Sequence, residues 1–366
     1  MHESSAATSP SFPQPISPDL HPVPQPVIEP LADRVISLGG PVEGKLGTFT
    51  ISARLRNRSV LNDTDLARDE ITEVLETAAR LKKLRQNGKP HNYLPGKTLG
   101  MLFQHPSTRT RVSFEAGMAQ LGGQAIFLGV NDLQMKRGET IADTAQVLSR
   151  YVDGIAARVS THDELLQLSG AASIPVFNCL TDKSHPLQAL ADLLTLQERC
   201  GSLAGLKLAY LGDGNNMCHS LLLTSAAMGV NLAVAAPAAH QPDPEVVKHA
   251  SWLASGSGAT VTISDDPLAA ARDADAIYTD VHVSMGQKDG PARAVALAPY
   301  KVTTAVMAAG RPNAVFMHCL PMHRDQEVAA EVADGPQSVI FDQAENRLHL
   351  HKAILLHSLC TPNRAH

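Results

Sequence analysis

The stretch FQHPSTRTRVSFE, residues 103–115, packs three hydroxyls and two arginines into five positions, Ser107-Thr108-Arg109-Thr110-Arg111. Before it, KTLGMLF (97–103) is apolar and strand-like. After it, VSFEAGMAQLGG (112–123) is helix-like and closes on a glycine pair. A helix N-terminus presents unpaired backbone N–H groups and the positive end of a dipole. Hydroxyls and guanidiniums added there suit an oxyanion with several oxygens, most simply phosphate. An isolated Ser-Thr pair would read as an ordinary cap with surface arginines; the density of donors between strand and helix favours the anion. No Walker sequence is present, which argues against a nucleoside triphosphate.

Working outward, the chain alternates. DTDLARDEITEVLETAARLKKLRQNG (63–88) has helical spacing, an Asp cap and a closing glycine. Short β-rich runs follow: KTLGMLF, QAIFLG, GIAARV and IPVFNCL. After the long helix-like HPLQALADLLTLQERCG (185–201) comes a second series: LKLAYLG, VNLAVAAP, ATVTIS, AIYTDV, AVFMHC and SVIFDQ. Strand–helix alternation twice over predicts an α/β chain with two doubly wound parallel-sheet domains joined by helices. Ligands in such sheets bind beyond the carboxyl ends of strands. The polar, chemistry-rich segments fall there, after residues 103, 159, 180, 212, 281 and 319.

The bounds agree. The 366 residues are enough for two domains and a large core. A net charge of −5 gives no hint of nucleic acid or an anionic membrane, and no apolar run approaches the ~20 residues of a membrane span. The 16 His and 5 Cys form no zinc pattern; the odd, widely spaced cysteines suit free thiols in the cytoplasm. The N-terminus lacks the features of a secretory signal or an arginine-rich transit peptide. Its proline and serine content predicts a disordered tail over residues 1–46. LGDGNN (211–216) resembles a dinucleotide fingerprint only loosely, lacking the full glycine spacing.

STRTRVSFE, HPLQALAD, GDGNN, DVHVSMG and HCLPMHR occur in an order and spacing that resemble the aspartate/ornithine carbamoyltransferase family. The resemblance runs from about residue 50 to 360, and DVHVSMG and HCLP resemble its ornithine branch. It implies a carbamoyl phosphate domain over 47–184, to which a C-terminal helix at 350–366 returns, and an ornithine domain over 185–349. It implies transfer of the carbamoyl group of carbamoyl phosphate to the side-chain amine of L-ornithine, giving citrulline and phosphate as in arginine biosynthesis. It implies no metal or organic cofactor, and a homotrimer or a multiple of trimers.

The reaction needs donors for phosphate, donors for an oxyanion and an acceptor for a cationic amino acid. By resemblance, Ser107, Thr108, Arg109 and Thr110 take the phosphate. Arg158, His185 and Gln188 hold the carbamoyl group, with Gln134 and Arg347 as further contacts. Asn216, Asp280, Ser284 and Met285 match the ornithine contacts. Cys319 lies by the reacting amine without acting as a nucleophile, and Leu320 helps close the carbamoyl pocket. Arg109, Arg158, His185, Asp280 and Cys319 form the catalytic set. Three of these have a plainer reading: His185 as a helix-start histidine, Asp280 in an internal ion pair, Cys319 as a small buried hydrophobe.

Two positions depart from the family pattern. His105 stands where lysine is common, which would weaken the positive field or make it depend on pH. His282 stands where DVW is usual, which opens the identity of the amine to lysine or putrescine. A non-catalytic ligand-binding relative would have lost site residues, and an NAD-dependent oxidoreductase would carry the glycine fingerprint.

Overall fold

Strand Thr98–Phe103 is buried at every position, as a strand covered on both faces must be. The computed structural model describes residues 35–38, 49–131, 133–283 and 289–360. Its strands are β1 (Val35–Leu38), β2 (Phe49–Ser52), β3 (Thr98–Phe103), β4 (Gln124–Gly129), β5 (Gly154–Arg158) and β6 (Val176–Leu180). The second series is β7 (Lys207–Leu211), β8 (Asn231–Ala235), β9 (Val261–Ser264), β10 (Ala276–Thr279) and β11 (Val315–Met317). One parallel sheet has the order β4-β3-β5-β6 and the other β11-β10-β7-β8-β9. The two-sheet α/β expectation is met.

The helices are α1 (Arg68–Gln86), α2 (Thr108–Gln120), α3 (Ile141–Tyr151), α4 (His162–Ala171), α5 (Pro186–Cys200) and α6 (Asn216–Met228). They continue with α7 (Pro244–Ser257), α8 (Pro267–Ala271), α9 (Gly290–Leu297), α10 (Thr304–Ala309), α11 (Ala330–Ala333) and α12 (Ile340–Leu359). The strand before each chemistry-rich segment ends within two residues of where the sequence placed it, at Phe103, Arg158, Leu180, Leu211, Thr279 and Met317.

Several boundaries need correction. β1 lies inside the stretch read as a tail and pairs antiparallel with β2, Ile36 opposite Ile51. Its four residues are too short a pattern to stand out among the prolines. α1 starts at Arg68, five residues after its expected Asp cap; Glu70 accepts the Ala67 N–H at 2.9 Å instead. SVIFDQ is not a strand. Only Gln337–Val339 runs beside β11, through Phe316 N–H to Gln337 O and Val339 N–H to Phe316 O, before the chain turns into α12. α12 therefore begins ten residues earlier than the expected C-terminal helix.

α12 packs against α1, α2 and α5 and is buried along most of its length. Its polar side chains find partners: His351 Nδ1 meets Ser113 Oγ at 2.9 Å, His357 Nε2 meets Thr77 Oγ1 at 3.0 Å, and Lys352 donates to Gln120 Oε1 at 2.9 Å. The His351 ring stacks on Phe114 with centroids 4.0 Å apart. Gly117 permits this approach, since a Cβ there would meet Lys352 Cγ at 3.2 Å. This seam fixes Arg347, one turn earlier on α12, against the start of α2.

Candidate active site

The N-terminus of α2 is capped by Ser107, whose hydroxyl accepts from Thr110 N–H at 3.3 Å and donates to Thr110 Oγ1 at 2.9 Å. Thr110 is wholly buried and also takes an Arg347 N–H at 2.7 Å. Thr108 is exposed at the first helical position. Arg109 follows, half-buried, and Arg158 arrives from the end of β5 at 7% exposure. The Nε atoms of Arg109, Arg158 and Arg347 are buried without a hydrogen-bond partner. Among the described residues none of the three forms an ion pair. Burial, then the Arg109 charge, pushes Arg347 down to about 10; burial likewise lowers Arg109 and Arg158. Three cations facing one another at a helix N-terminus call for an anion.

His185 is the N-cap of α5 and 6% exposed. Burial, then Arg347 and Arg158, hold its pKa far below the ordinary value, so the ring is neutral. Its Nδ1 is buried and unpartnered, and its backbone N–H goes to Ser220 Oγ at 2.7 Å. One turn on, the Gln188 amide donates to Asp192 Oδ1 at 2.8 Å and leaves its Oε1 buried and unpartnered. Asp192 is fixed in turn by Gln343 at 2.8 Å and Tyr278 at 3.0 Å. A neutral imidazole and a free amide oxygen are matched to a carbamoyl group, which offers one carbonyl and one NH2.

Asp280 follows β10 at 8% exposure. Asn215 donates to Oδ2 at 2.8 Å, and Val281 N–H to Oδ1 at 2.8 Å. The Cys319 thiol meets Oδ1 at 3.1 Å. No cation pairs with this carboxylate among the described residues. Burial, then Asp280, pushes the Cys319 thiol well up, so it stays protonated and is no nucleophile. Leu320 sits at φ +60, a position costly for leucine, with its N–H on His318 Nδ1 at 2.8 Å. Donor atoms of Asp280, His318 and Cys319 lie within 4.8 Å of one another. A cation there would displace a thiol proton; His318 Nδ1 already takes the Leu320 N–H, and Nε2 faces Glu327 Oε1 at 3.4 Å without a hydrogen bond.

Not every expected residue joins this cluster. Gln134 is exposed on a short 3-10 turn and is met by Arg137. Asn216 donates to Thr181 O at 2.6 Å, while its neighbour Asn215 meets Asp280. Ser284 and Met285 lie outside the described residues. His282 is 5% exposed with an unpartnered Nε2, its pKa lowered by burial against the pull of Glu327 and Asp280. His105 touches Ser160 Oγ at 2.9 Å. Of the two glycines of GDGNN, Gly214 serves close packing: a Cβ there would lie 2.2 Å from Pro242 N.

Residues 58–198 match the carbamoyl-P binding domain of aspartate/ornithine carbamoyltransferases, and residues 204–358 match the Asp/Orn binding domain. The chain belongs to the aspartate/ornithine carbamoyltransferase family. It is 51% identical over 302 residues to an ornithine carbamoyltransferase of Thermococcus kodakarensis, covering 82% of this chain and 96% of that one. It is 50% identical to the "Ornithine carbamoyltransferase, anabolic" of Pyrococcus furiosus over 82% and 96% of the two chains. A solved ornithine carbamoyltransferase from Pyrococcus furiosus superposes with a TM-score of 0.81 at 49% identity, covering 83% of this chain and 98% of that one.

Proposed function

We infer that the chain is an ornithine carbamoyltransferase, which joins the carbamoyl group of carbamoyl phosphate to the side-chain amine of L-ornithine and yields L-citrulline and phosphate. The observation that carries this is the pairing of opposites: unpaired guanidiniums at the α2 N-terminus, and an unpaired carboxylate, Asp280, whose field reaches Arg109. The former suits a dianion; the latter suits an α-ammonium. The names of the relatives support the same reading.

In this reading Ser107, Thr108, Arg109 and Thr110 hold the phosphate with Arg158 and Arg347. The carbamoyl oxygen takes donors from Arg158 and neutral His185, which stabilise it as it becomes an oxyanion. The carbamoyl NH2 donates to Gln188 Oε1, which Asp192 aims. Asp280 and Asn215, with Asn216, Ser284 and Met285, hold the amino-acid head. The amine nitrogen bonds to the carbamoyl carbon, the carbon–oxygen bond to phosphate breaks, and the amine proton leaves with phosphate. Citrulline and phosphate measured together on a panel of amines test the reading; no product with any amine overturns it. His282 favours one alternative, a longer or shorter amine.

Gln134 completes the site from a second subunit in this reading, because it stands exposed and apart from the other contacts. A homotrimer or multiple of trimers is expected. Sedimentation of a fully active monomer rules that out. The reading also expects a cytoplasmic enzyme, which its five free cysteines support.

A further inference from the structure

Gln343 lies on the first turn of α12, and both ends of its amide are engaged. The His318 N–H reaches its Oε1 at 2.9 Å, while its Nε2 donates to Asp192 Oδ1 at 2.8 Å and to the Tyr278 hydroxyl at 3.2 Å. A backbone N–H can only donate, so the amide oxygen faces His318 and the NH2 faces Asp192. Asp192 Oδ1 also takes the Gln188 NH2 at 2.8 Å, and the Tyr278 hydroxyl donates to Oδ2 at 3.0 Å. Gln188, Asp192, Tyr278, His318 and Gln343 are each at most 1% exposed, so solvent does not compete for these bonds.

Two parts of the site meet at this amide. On one side, Asp192 fixes the Gln188 NH2 and leaves free the buried Oε1 assigned above to the carbamoyl NH2. On the other, His318 opens the turn that carries Cys319 and Leu320. The Leu320 N–H closes that turn on His318 Nδ1 at 2.8 Å, and the Cys319 thiol donates to Asp280 Oδ1 at 3.1 Å. A continuous run of hydrogen bonds and one covalent step thus joins the holder of the electrophile to the holder of the amino-acid head. Tyr278 braces the same carboxylate from β10, the strand that ends just before Asp280.

We propose that Gln343 is a positioning residue that keeps Gln188 in register with the Cys319–Leu320 turn and Asp280, and thereby helps to set which length of amine reacts. The proposal rests on the carbamoyltransferase reading above and names a specificity device within it. In a low-dielectric interior a hydrogen bond is electrostatically stronger than in water, and the members of a connected group strengthen one another. Removing the amide therefore loosens both halves together, with the Tyr278 brace left to limit the shift.

The test compares three full-length chains. Gln343→Met keeps the length of the side chain and removes its hydrogen bonds. The guanidiniums that hold phosphate stay in place, so carbamoyl phosphate affinity should change by no more than about threefold. A misplacement of ~1 Å can cost ~10²-fold in rate, and the smaller shift left by the brace should cost about tenfold in kcat with ornithine. Lysine, already misplaced by its extra methylene, loses less, so the ornithine-to-lysine preference in kcat/KM should shrink by about threefold or more. Gln343→Glu is the conservative partner. Two buried carboxyls in contact share one proton, because like charges there do not both ionise. The protonated one donates to the other, and the remaining glutamate oxygen still accepts the His318 N–H. That chain should keep kcat and amine preference within about threefold of the unaltered chain at neutral pH.

A side chain that only stabilised the fold would lower the melting temperature of Gln343→Met and leave kcat and the amine preference unchanged. That result overturns the proposal, as does a Gln343→Glu chain no better than Gln343→Met. If Gln343→Met does not fold, Gln343→Asn decides: its amide is one methylene too short to span from His318 to Asp192. It should show the same losses, and an unchanged kcat and preference there overturn the proposal. Citrulline from the unaltered chain, assayed alongside, upholds the functional reading whatever the variants do. An unaltered chain that makes no product with any amine overturns the reading and the proposal together.

Discussion

Arg109→Ala is expected to lose carbamoyl phosphate binding and nearly all activity while remaining folded. The guanidinium sits on the first turn of α2 beside the Ser107 cap, with its Nε buried and unpartnered. A charge-assisted hydrogen bond removed from a dianion costs about 1.5–3 kcal/mol in binding alone. The phosphate gains a proton and leaves as the reaction proceeds, so further loss falls on the rate. The fold should not suffer. Arg109 makes no ion pair among the described residues, and its charge is one cause of the lowered Arg347 value. Removing it relieves that repulsion, so the unliganded melting temperature should hold or rise. Calorimetry and thermal melting on the same preparation check both halves. Ordinary affinity in a folded Arg109→Ala chain contradicts the phosphate cradle.

Asp280→Asn is expected to cost about 10²-fold in kcat/KM for ornithine, with carbamoyl phosphate affinity little changed. Asp280 holds three hydrogen-bond donors and, among the described residues, no cation, an arrangement that leaves its charge for an incoming ammonium. Asparagine keeps the size and loses the charge. With the head fixed there and the electrophile fixed at the α2 end, the site measures the distance between them. Lysine is longer than ornithine by a methylene, and putrescine lacks the head carboxylate. A misplacement of ~1 Å can cost ~10²-fold in rate, so ornithine should lead both by at least about tenfold. Citrulline, homocitrulline and carbamoylputrescine measured side by side decide it. A lead for lysine or putrescine would assign the reshaped specificity to His282.

The sequence showed the sheets more clearly than the contacts between them. Strands buried on both faces, such as β3, announce themselves as apolar runs, and the donors at their carboxyl ends follow the geometry of any doubly wound sheet. α12 was harder. Its first turns carry Val339-Ile340-Phe341, a β-like run, and its buried face is rich in histidine and lysine whose partners lie far away in sequence. Asp192 could have been read from its spacing of four residues after Gln188, the helical repeat that lets one side chain aim another. Asn215 and Asn216 are adjacent and chemically identical; only the cap geometry of α6 decides that Asn215 turns to Asp280.

The three unpaired guanidiniums bear on how a turnover ends. With the site empty they repel one another in a buried space; burial first, and then the Arg109 charge, brings Arg347 down to about 10. Any dianion of the right size relieves that repulsion, and inorganic phosphate is one. At a concentration of 100 times its dissociation constant such an ion would stabilise the fold by about 2.7 kcal/mol. The same relief works against discharge of the product, since phosphate must depart and the repulsion must return before the next substrate enters. In the proposed reading, a cradle that draws in carbamoyl phosphate should leave the enzyme prone to product inhibition, with phosphate competing with carbamoyl phosphate and not with ornithine.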